Sequence, residues 1–92
     1  MKKRRAHVWV TGRVQGVFFR AYTRDAAELI GVAGWVKNLP DRRVEAIIEG
    51  DADRVQLMVE WFNEGSPMSR IDWVEVGEEE YTGEFDGFAI TR

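Results

Sequence analysis

The sequence predicts an α+β fold in which two helices cover one face of an antiparallel sheet. Apolar residues recur at every second position in several short segments, and at helical spacing in two others. These segments follow one another in the order β-α-β-β-α-β, with one further short strand at the end. Each predicted helix is apolar on one side only, so both helices must bury that side against the same sheet.

The first strand, the first helix and the second strand occupy the first 39 residues. Residues Ala6–Val14 alternate as a half-buried strand does, with valines on one side and mostly polar or aromatic residues on the other. Tyr22–Ile30 carries apolar residues at helical spacing, and Gly31 stands where a left-handed residue commonly ends a helix. Trp35–Leu39 is predicted as a short second strand.

A turn, a third strand and a second helix come next. Pro40-Asp41-Arg42 is predicted as the turn, and Arg43–Glu49 alternates again as the strand. Asp51 is a good N-cap for the second helix, which should end near Gly65 and Pro67. The apolar stripe of this helix falls at positions i, i+3, i+4 and i+7 and consists of Val55, Met58, Val59 and Phe62.

Two more strands complete the chain. They are predicted over Ile71–Val76 and, as a short terminal strand, over Gly87–Thr91. The complete order is that of a ferredoxin-like βαββαβ sandwich with a short extra C-terminal strand. Many unrelated activities occur on this architecture, so the fold alone does not give the function.

Composition bounds the class of protein. Residues 1–92 are expected to form a single domain, because a hydrophobic content of 45% and a charged content of 32% are typical of a soluble globular protein. The chain has no cysteine and one histidine, His7, which excludes disulfides and thiol catalysis and disfavours a transition-metal site. The apolar run behind Lys2–Arg5 is too short for a signal peptide, so we expect none, and no apolar segment approaches the length of about 20 residues that a membrane span needs. We expect a cytoplasmic protein.

Charge is distributed unevenly around a net value of −3. Lys and Arg residues occur up to Arg24 with no acid among them, whereas Glu75 to Asp86 contains acids and no base. We interpret residues 1–5 as a flexible basic tail that aids solubility, in preference to a tether for nucleic acid or membrane. The acidic stretch is interpreted as an exposed loop and strand face.

The segment Gly12–Arg20 (GRVQGVFFR) is the strongest functional signal. It joins the first strand to the first helix, where the first helical amides have no intrahelical partner and the helix dipole favours negative charge. Successive amides of such a loop can converge on an anion. Arg20 adds a planar fork of donors that binds two phosphate oxygens at once. This loop lacks the Gly-Lys-Ser/Thr ending of a Walker A motif, so it predicts a phosphate pocket that is not an ATP site.

With these elements in place, the chain resembles the acylphosphatase family from about His7 to Thr91. The resemblance rests on Gly12–Arg20 and on Gly34–Asp41 (GWVKNLPD), followed by Val44-Glu45 and Glu49-Gly50. It implies hydrolysis of acyl phosphates to a carboxylate and inorganic phosphate without a metal or cofactor. The sequence leaves the oligomeric state open, and a monomer is the default expectation.

The resemblance also implies the roles of the site residues. Arg20 would bind the phosphoryl group and Asn38 would orient the attacking water. Inorganic phosphate, as product, would inhibit competitively. The residues whose amides would line the phosphate cradle are Gln15, Gly16, Val17, Phe18, Phe19 and Arg20. The apolar members Val17, Phe18 and Phe19 would shape the loop and its entry to the core.

The turn after Asn38 departs from the family pattern. Many members carry a glycine there, where this chain reads Pro40-Asp41-Arg42-Arg43. Glycine suits a backbone position with positive φ, and an arginine at such a position costs about 1 kcal/mol or slightly more. Either the turn has a different shape in this chain or Asp41 adopts the unusual conformation.

Two other classes of function are open at the level of sequence. An RNA-binding module would stack bases on the open sheet face, where Trp9 fits but Glu45 and Glu49 of the third strand do not. A regulatory domain that binds an anion without turnover would keep the phosphate loop, although the retained Arg20 and Asn38 favour activity. The end of the chain shortly after the last strand favours an independent protein. We expect no nucleic-acid or membrane partner.

Overall fold

The computed structural model describes residues 2–92, which form five strands and two helices. The elements are β1 (Lys3–Arg13), α1 (Phe19–Ile30), β2 (Ala33–Asn38), β3 (Val44–Asp51), α2 (Ala52–Glu64), β4 (Arg70–Glu79) and β5 (Phe88–Ile90). The predicted ferredoxin-like βαββαβ order with an extra C-terminal strand is confirmed. Among the described residues, no helix is both long enough and apolar enough to cross a membrane.

The sheet has the strand order β4-β1-β3-β2-β5, which places β1 and β3 at its centre. Pairs among the first four strands are antiparallel, as predicted, but β5 runs parallel to β2. A fully antiparallel sheet was therefore the wrong prediction for the last strand. The chain leaves β4 at one edge and reaches β5 at the opposite edge, so no tight hairpin dictates the direction of β5.

Strand β1 begins at Lys3, so the prediction of a flexible tail is wrong for Lys3, Arg4 and Arg5. Each of these residues pairs with an acid on a neighbouring strand or loop. Arg4 binds Glu78 with two nitrogens, each 2.8 Å from a carboxylate oxygen. Arg5 contacts the carboxylates of three residues, Glu49, Glu79 and Glu84. Met1, which the same prediction included, lies outside the described residues.

The core lies between the two helices and one face of the sheet. The predicted stripe of α2 is fully confirmed, since all four of its residues are buried. In α1 the buried residues are Phe19, Thr23 and Ala27, whereas Tyr22 is exposed and Leu29 is 88% exposed. The buried face of α1 is therefore shifted from the predicted one, of which Ala26 and Ile30 still pack partly buried against the core. The buried ring of Phe19 contacts Trp61 and Phe62 of α2 and joins the two helices.

His7 lies on the open face of the sheet beside Trp9. Its ring stacks on Trp9 with 3.9 Å between centroids, and its two nitrogens lie 2.6 Å from Glu79 and 2.7 Å from Glu45. Among residues 2–92, no group of three or more His, Cys, Asp or Glu side chains is placed to hold a metal ion.

Candidate active site

The loop between β1 and α1 is fixed to the core at alternate points. Val14, Val17 and Phe19 are buried, whereas Gly16 and Phe18 face outwards. Gly16 has φ 73° with open space around it, so glycine is favoured there by its backbone conformation and not by crowding. Phe18 occupies the N-cap position of α1 with φ 60° and ψ 23°. The loop therefore presents its backbone in an unusual conformation directly before the helix.

The backbone N–H groups from Gln15 to Ala21 find no hydrogen-bond acceptor on any of residues 2–92. The first turn of α1 contains no acidic residue, and the Phe18 N-cap makes no side-chain hydrogen bond to the helix. Unpaired amides at a helix N-terminus carry partial positive charge and favour a bound anion. This segment thus has the electrostatic character of a phosphate cradle.

Arg20, the second residue of α1, adds a full positive charge to the same place. It is half-buried, and no carboxylate in the described part of the chain lies within ion-pair distance of it. Arg24, one turn later, pairs with Asp25 at 3.5 Å. A cation at a helix N-terminus opposes the helix dipole, so an unpaired arginine there is favourable only when an anion joins it. The ordinary salt-bridge role of an arginine does not apply to Arg20.

Arg20 and Asn38 line one cavity of about 320 Å³. Five of the six predicted phosphate-binding residues, Arg20 among them, line this cavity, and Val17 does not. The complete lining is Val14, Gln15, Gly16, Phe18, Phe19, Arg20, Ala21, Asn38 and Ile90. The structure therefore brings together the two predicted catalytic residues from separate elements, α1 and β2.

Asn38 is the last residue of β2, and its amide oxygen Oδ1 is buried without a hydrogen-bond partner. A buried acceptor left unpaired costs about 1–3 kcal/mol. Such a group needs an explanation in a folded protein, and a functional site is the common one. Its place on the cavity wall makes a role towards a bound molecule the simplest explanation.

The side chain of Gln15 holds the two halves of the site together. Its Nε2 donates to the carbonyl oxygens of Leu39 and Arg43, both at 2.9 Å. These carbonyls belong to the turn that follows Asn38, 24 and 28 residues away in sequence. The sequence predicts only a backbone role for Gln15, because no local pattern signals a contact over that distance.

Arg42 itself adopts the left-handed conformation in this turn, with φ 76°. The alternative in which Asp41 takes that conformation is wrong. Asp41 instead accepts from the backbone N–H of Arg43 at 3.1 Å and from its guanidinium at 2.8 Å. These bonds lower the pKa of Asp41, the backbone bond most strongly. The turn therefore has a left-handed position that glycine would favour, and an arginine occupies it at a cost in strain.

Three cavity residues, Val14, Ala21 and Ile90, were not among the predicted site residues, and of these only Ile90 of β5 is distant in sequence from the β1–α1 loop. The parallel pairing of β5 with β2 sets Ile90 opposite Val36, two residues before Asn38. The only signal in the sequence is the apolar pair Phe88 and Ile90 in the terminal strand, which does not reveal the edge to which that strand binds.

Comparisons with known proteins agree with this geometry. The family model described as acylphosphatase matches residues 6–90. An acylphosphatase of Syntrophobacter fumaroxidans is 65% identical over 91 residues, 99% of this chain and 94% of the relative. One from Rubrobacter xylanophilus is 54% identical over 87 residues, 95% of this chain and 79% of the relative. The crystal structure of acylphosphatase from Bacillus subtilis superposes with a TM-score of 0.92 at 37% identity, covering 97% of this chain and 99% of that one.

Proposed function

The chain belongs to the acylphosphatase family and hydrolyses acyl phosphates, and on this premise we propose how its cavity performs the reaction. The substrate is a mixed anhydride of a carboxylic acid and phosphoric acid. Water attacks phosphorus, the bond between phosphorus and the acyl oxygen breaks, and the products are a carboxylate and inorganic phosphate. The observation that carries the proposal is the shared cavity of an unpaired Arg20 guanidinium and a partnerless Asn38 oxygen.

The phosphoryl group binds at the N-terminus of α1. Its oxygens accept hydrogen bonds from free amides of the Gln15–Ala21 segment and from the guanidinium of Arg20. Phosphoryl transfer depends mainly on positioning and on stabilisation of charge on the equatorial oxygens. The amides and Arg20 supply both without reorganisation, because the fold already holds them in place.

Asn38 orients the attacking water. Its side-chain oxygen accepts a hydrogen bond from the water, and this bond directs a lone pair of the water towards phosphorus. The leaving group is a weakly basic carboxylate, so it departs without protonation. A phosphate oxygen takes the proton released by the water, and no strong general base or metal is required.

The test of the Arg20 role compares Arg20→Gln with Arg24→Gln on benzoyl phosphate. Loss of one charged donor at a transition state commonly costs about 10²–10³ in turnover. We expect that loss in Arg20→Gln, together with loss of competitive inhibition by inorganic phosphate. Arg24→Gln, on the same helix but outside the cavity, keeps wild-type activity. An active Arg20→Gln protein would refute the assignment.

The test of the Asn38 role separates turnover from binding. Asn38→Ala should lower kcat by about 10²-fold or more, in the range of a lost positioning group, while inorganic phosphate still inhibits at a concentration close to that for wild type. Asn63→Ala, which removes an amide on α2 far from the cavity lining, is the matched control. EDTA should leave all rates unchanged, and a requirement for added metal would contradict the mechanism.

A further inference from the structure

Phe18 and Phe19 are adjacent phenylalanines with opposite environments. Phe19 is 1% exposed and joins the two helices, whereas Phe18 is 77% exposed. Phe18 also holds φ 60°, a conformation that is an outlier for a bulky residue. The resemblance implies that Val17, Phe18 and Phe19 shape the loop and its entry to the core, but the exposed ring of Phe18 lies mostly outside the core. An exposed ring on a strained backbone contributes little to the fold, and such strain commonly marks functional sites.

Phe18 is also part of the cavity wall. Phe18 lines the same cavity as Arg20 and Asn38, and Ile90, 37% exposed, lines it as well. The cavity therefore has two chemical parts. One consists of the free amides, Arg20 and Asn38; the other consists of partly exposed apolar side chains contributed by the loop and by β5.

An acyl phosphate has the same two parts. If its phosphoryl group occupies the amides and Arg20, its acyl group must point away from them and out of the cavity. An apolar surface then gains by covering apolar atoms of the substrate, and an aromatic ring gains further when it meets another ring. Acetyl phosphate offers a single methyl group to such a surface.

We propose that Phe18, with Ile90, forms the acyl-binding side of the cavity and selects acyl phosphates with aromatic or extended apolar acyl groups over acetyl phosphate. This inference rests on the proposed function of the same cavity and adds the substrate class. Phe18 acts here through its side chain, a role separate from that of its backbone amide in the phosphate cradle.

The first experiment measures kcat/KM for benzoyl phosphate and for acetyl phosphate in wild type and in Phe18→Ala. The benzoyl-to-acetyl ratio should fall about fivefold, corresponding to about 1 kcal/mol for the lost aromatic contact. Using the ratio removes any loop disturbance that affects both substrates alike. Leu29→Ala, which removes an equally exposed apolar side chain of α1 outside the cavity, should leave the ratio unchanged. A ratio in Phe18→Ala that equals the wild-type ratio would overturn the proposal.

The second experiment does not depend on turnover. Isothermal titration compares the binding of benzylphosphonate with that of methylphosphonate to the same three proteins. We expect wild type and Leu29→Ala to prefer benzylphosphonate, and Phe18→Ala to lose about fivefold of that preference. If Phe18→Ala lowers the affinity for both phosphonates equally, or lowers neither, Phe18 is rejected as an acyl-binding residue. A wild-type protein that shows this preference but hydrolyses neither acyl phosphate would reject the proposed mechanism and keep the subsite.

Discussion

Replacing Glu49 by glutamine, which has nearly the same size and shape, should still lower the stability of the fold substantially. Glu49 lies on β3 with only 2% of its surface exposed. One carboxylate oxygen accepts from the Thr82 amide at 2.8 Å, the Thr82 hydroxyl at 3.0 Å and Arg5 at 3.2 Å. The other accepts from the Gly83 amide at 3.1 Å. The carboxylate thus accepts from three N–H groups and from the Thr82 hydroxyl, whose single proton Glu84 can also accept at 3.0 Å, and it anchors the loop that leads from β4 towards β5.

The magnitude follows from these four bonds. Glutamine in its better orientation keeps an oxygen towards Thr82 and Arg5 but turns an NH₂ group towards the Gly83 amide, which loses one bond. Hydrogen bonds to a charged group contribute about 1.5–3 kcal/mol and neutral ones about 0.5–1.5 kcal/mol, so the three remaining bonds also weaken. Arg5 keeps two other carboxylate partners and is not left unpaired. We therefore expect a loss of about 2–3 kcal/mol, below the range for a fully broken buried ion pair.

Urea unfolding at pH 7 measures this loss of unfolding free energy. The midpoint concentration should fall while the slope of the unfolding free energy against urea concentration stays constant. Glu84→Gln is the matched control, because it removes a carboxylate that also contacts Arg5 but is 54% exposed. Exposed pairs contribute little, so this control should change stability by less than about 1 kcal/mol. If Glu49→Gln changes stability no more than Glu84→Gln does, the reasoning from burial and bond count is refuted.

Three further outcomes are expected. Gln15→Met removes both hydrogen bonds to the turn after Asn38 and should lower the free energy of unfolding by about 1–3 kcal/mol. It should also lower kcat more than it lowers the affinity for phosphate. An unchanged kcat would contradict a positioning role. Arg42→Gly removes a left-handed arginine and should raise the free energy of unfolding by up to about 1 kcal/mol without loss of kcat, so a lowered free energy of unfolding in urea would show that the turn is not strained. A hydrogen bond from Arg4 lowers the pKa of Glu78 in the folded state, so the unfolded chain takes up a proton more readily. The stability that this pair contributes is present above the ordinary carboxyl range and falls as pH drops through it, and thermal melts from pH 6 to pH 2 should show a declining midpoint.

The elements whose signals lie within one segment were predictable from the sequence. The stripe of α2 is one example, because helical spacing and burial coincide there. The start of β1 was not predictable, because Lys3 to Arg5 have the local pattern of a basic tail. Their acidic partners lie more than 40 residues away in sequence. The direction of β5 failed for the same reason, since its partner strand is chosen by the completed sheet.

The site divides in the same way. Arg20 and Asn38 lie in two local motifs, so both could be predicted as site residues without knowledge of the fold. Both line the cavity in the structure. The side-chain bonds of Gln15 and the contribution of Ile90 depend on contacts between distant segments. Sequence motifs therefore indicate which groups meet the phosphoryl oxygens, whereas only the fold shows what holds these groups and what meets the acyl part.

Strain within the described chain is concentrated at this same place. Its two non-glycine residues with positive φ are Phe18, on the cavity wall, and Arg42, in the turn that Gln15 ties to the loop. Asn38, which lines the same cavity, has a buried amide oxygen without a hydrogen-bond partner. Local preferences are broken where a site needs a geometry that stability alone would not choose. The two strained residues differ, however: Phe18 exposes a ring that the substrate can cover, whereas Arg42 donates its backbone N–H to the Leu39 carbonyl at 3.1 Å and so closes the turn that Gln15 holds after Asn38.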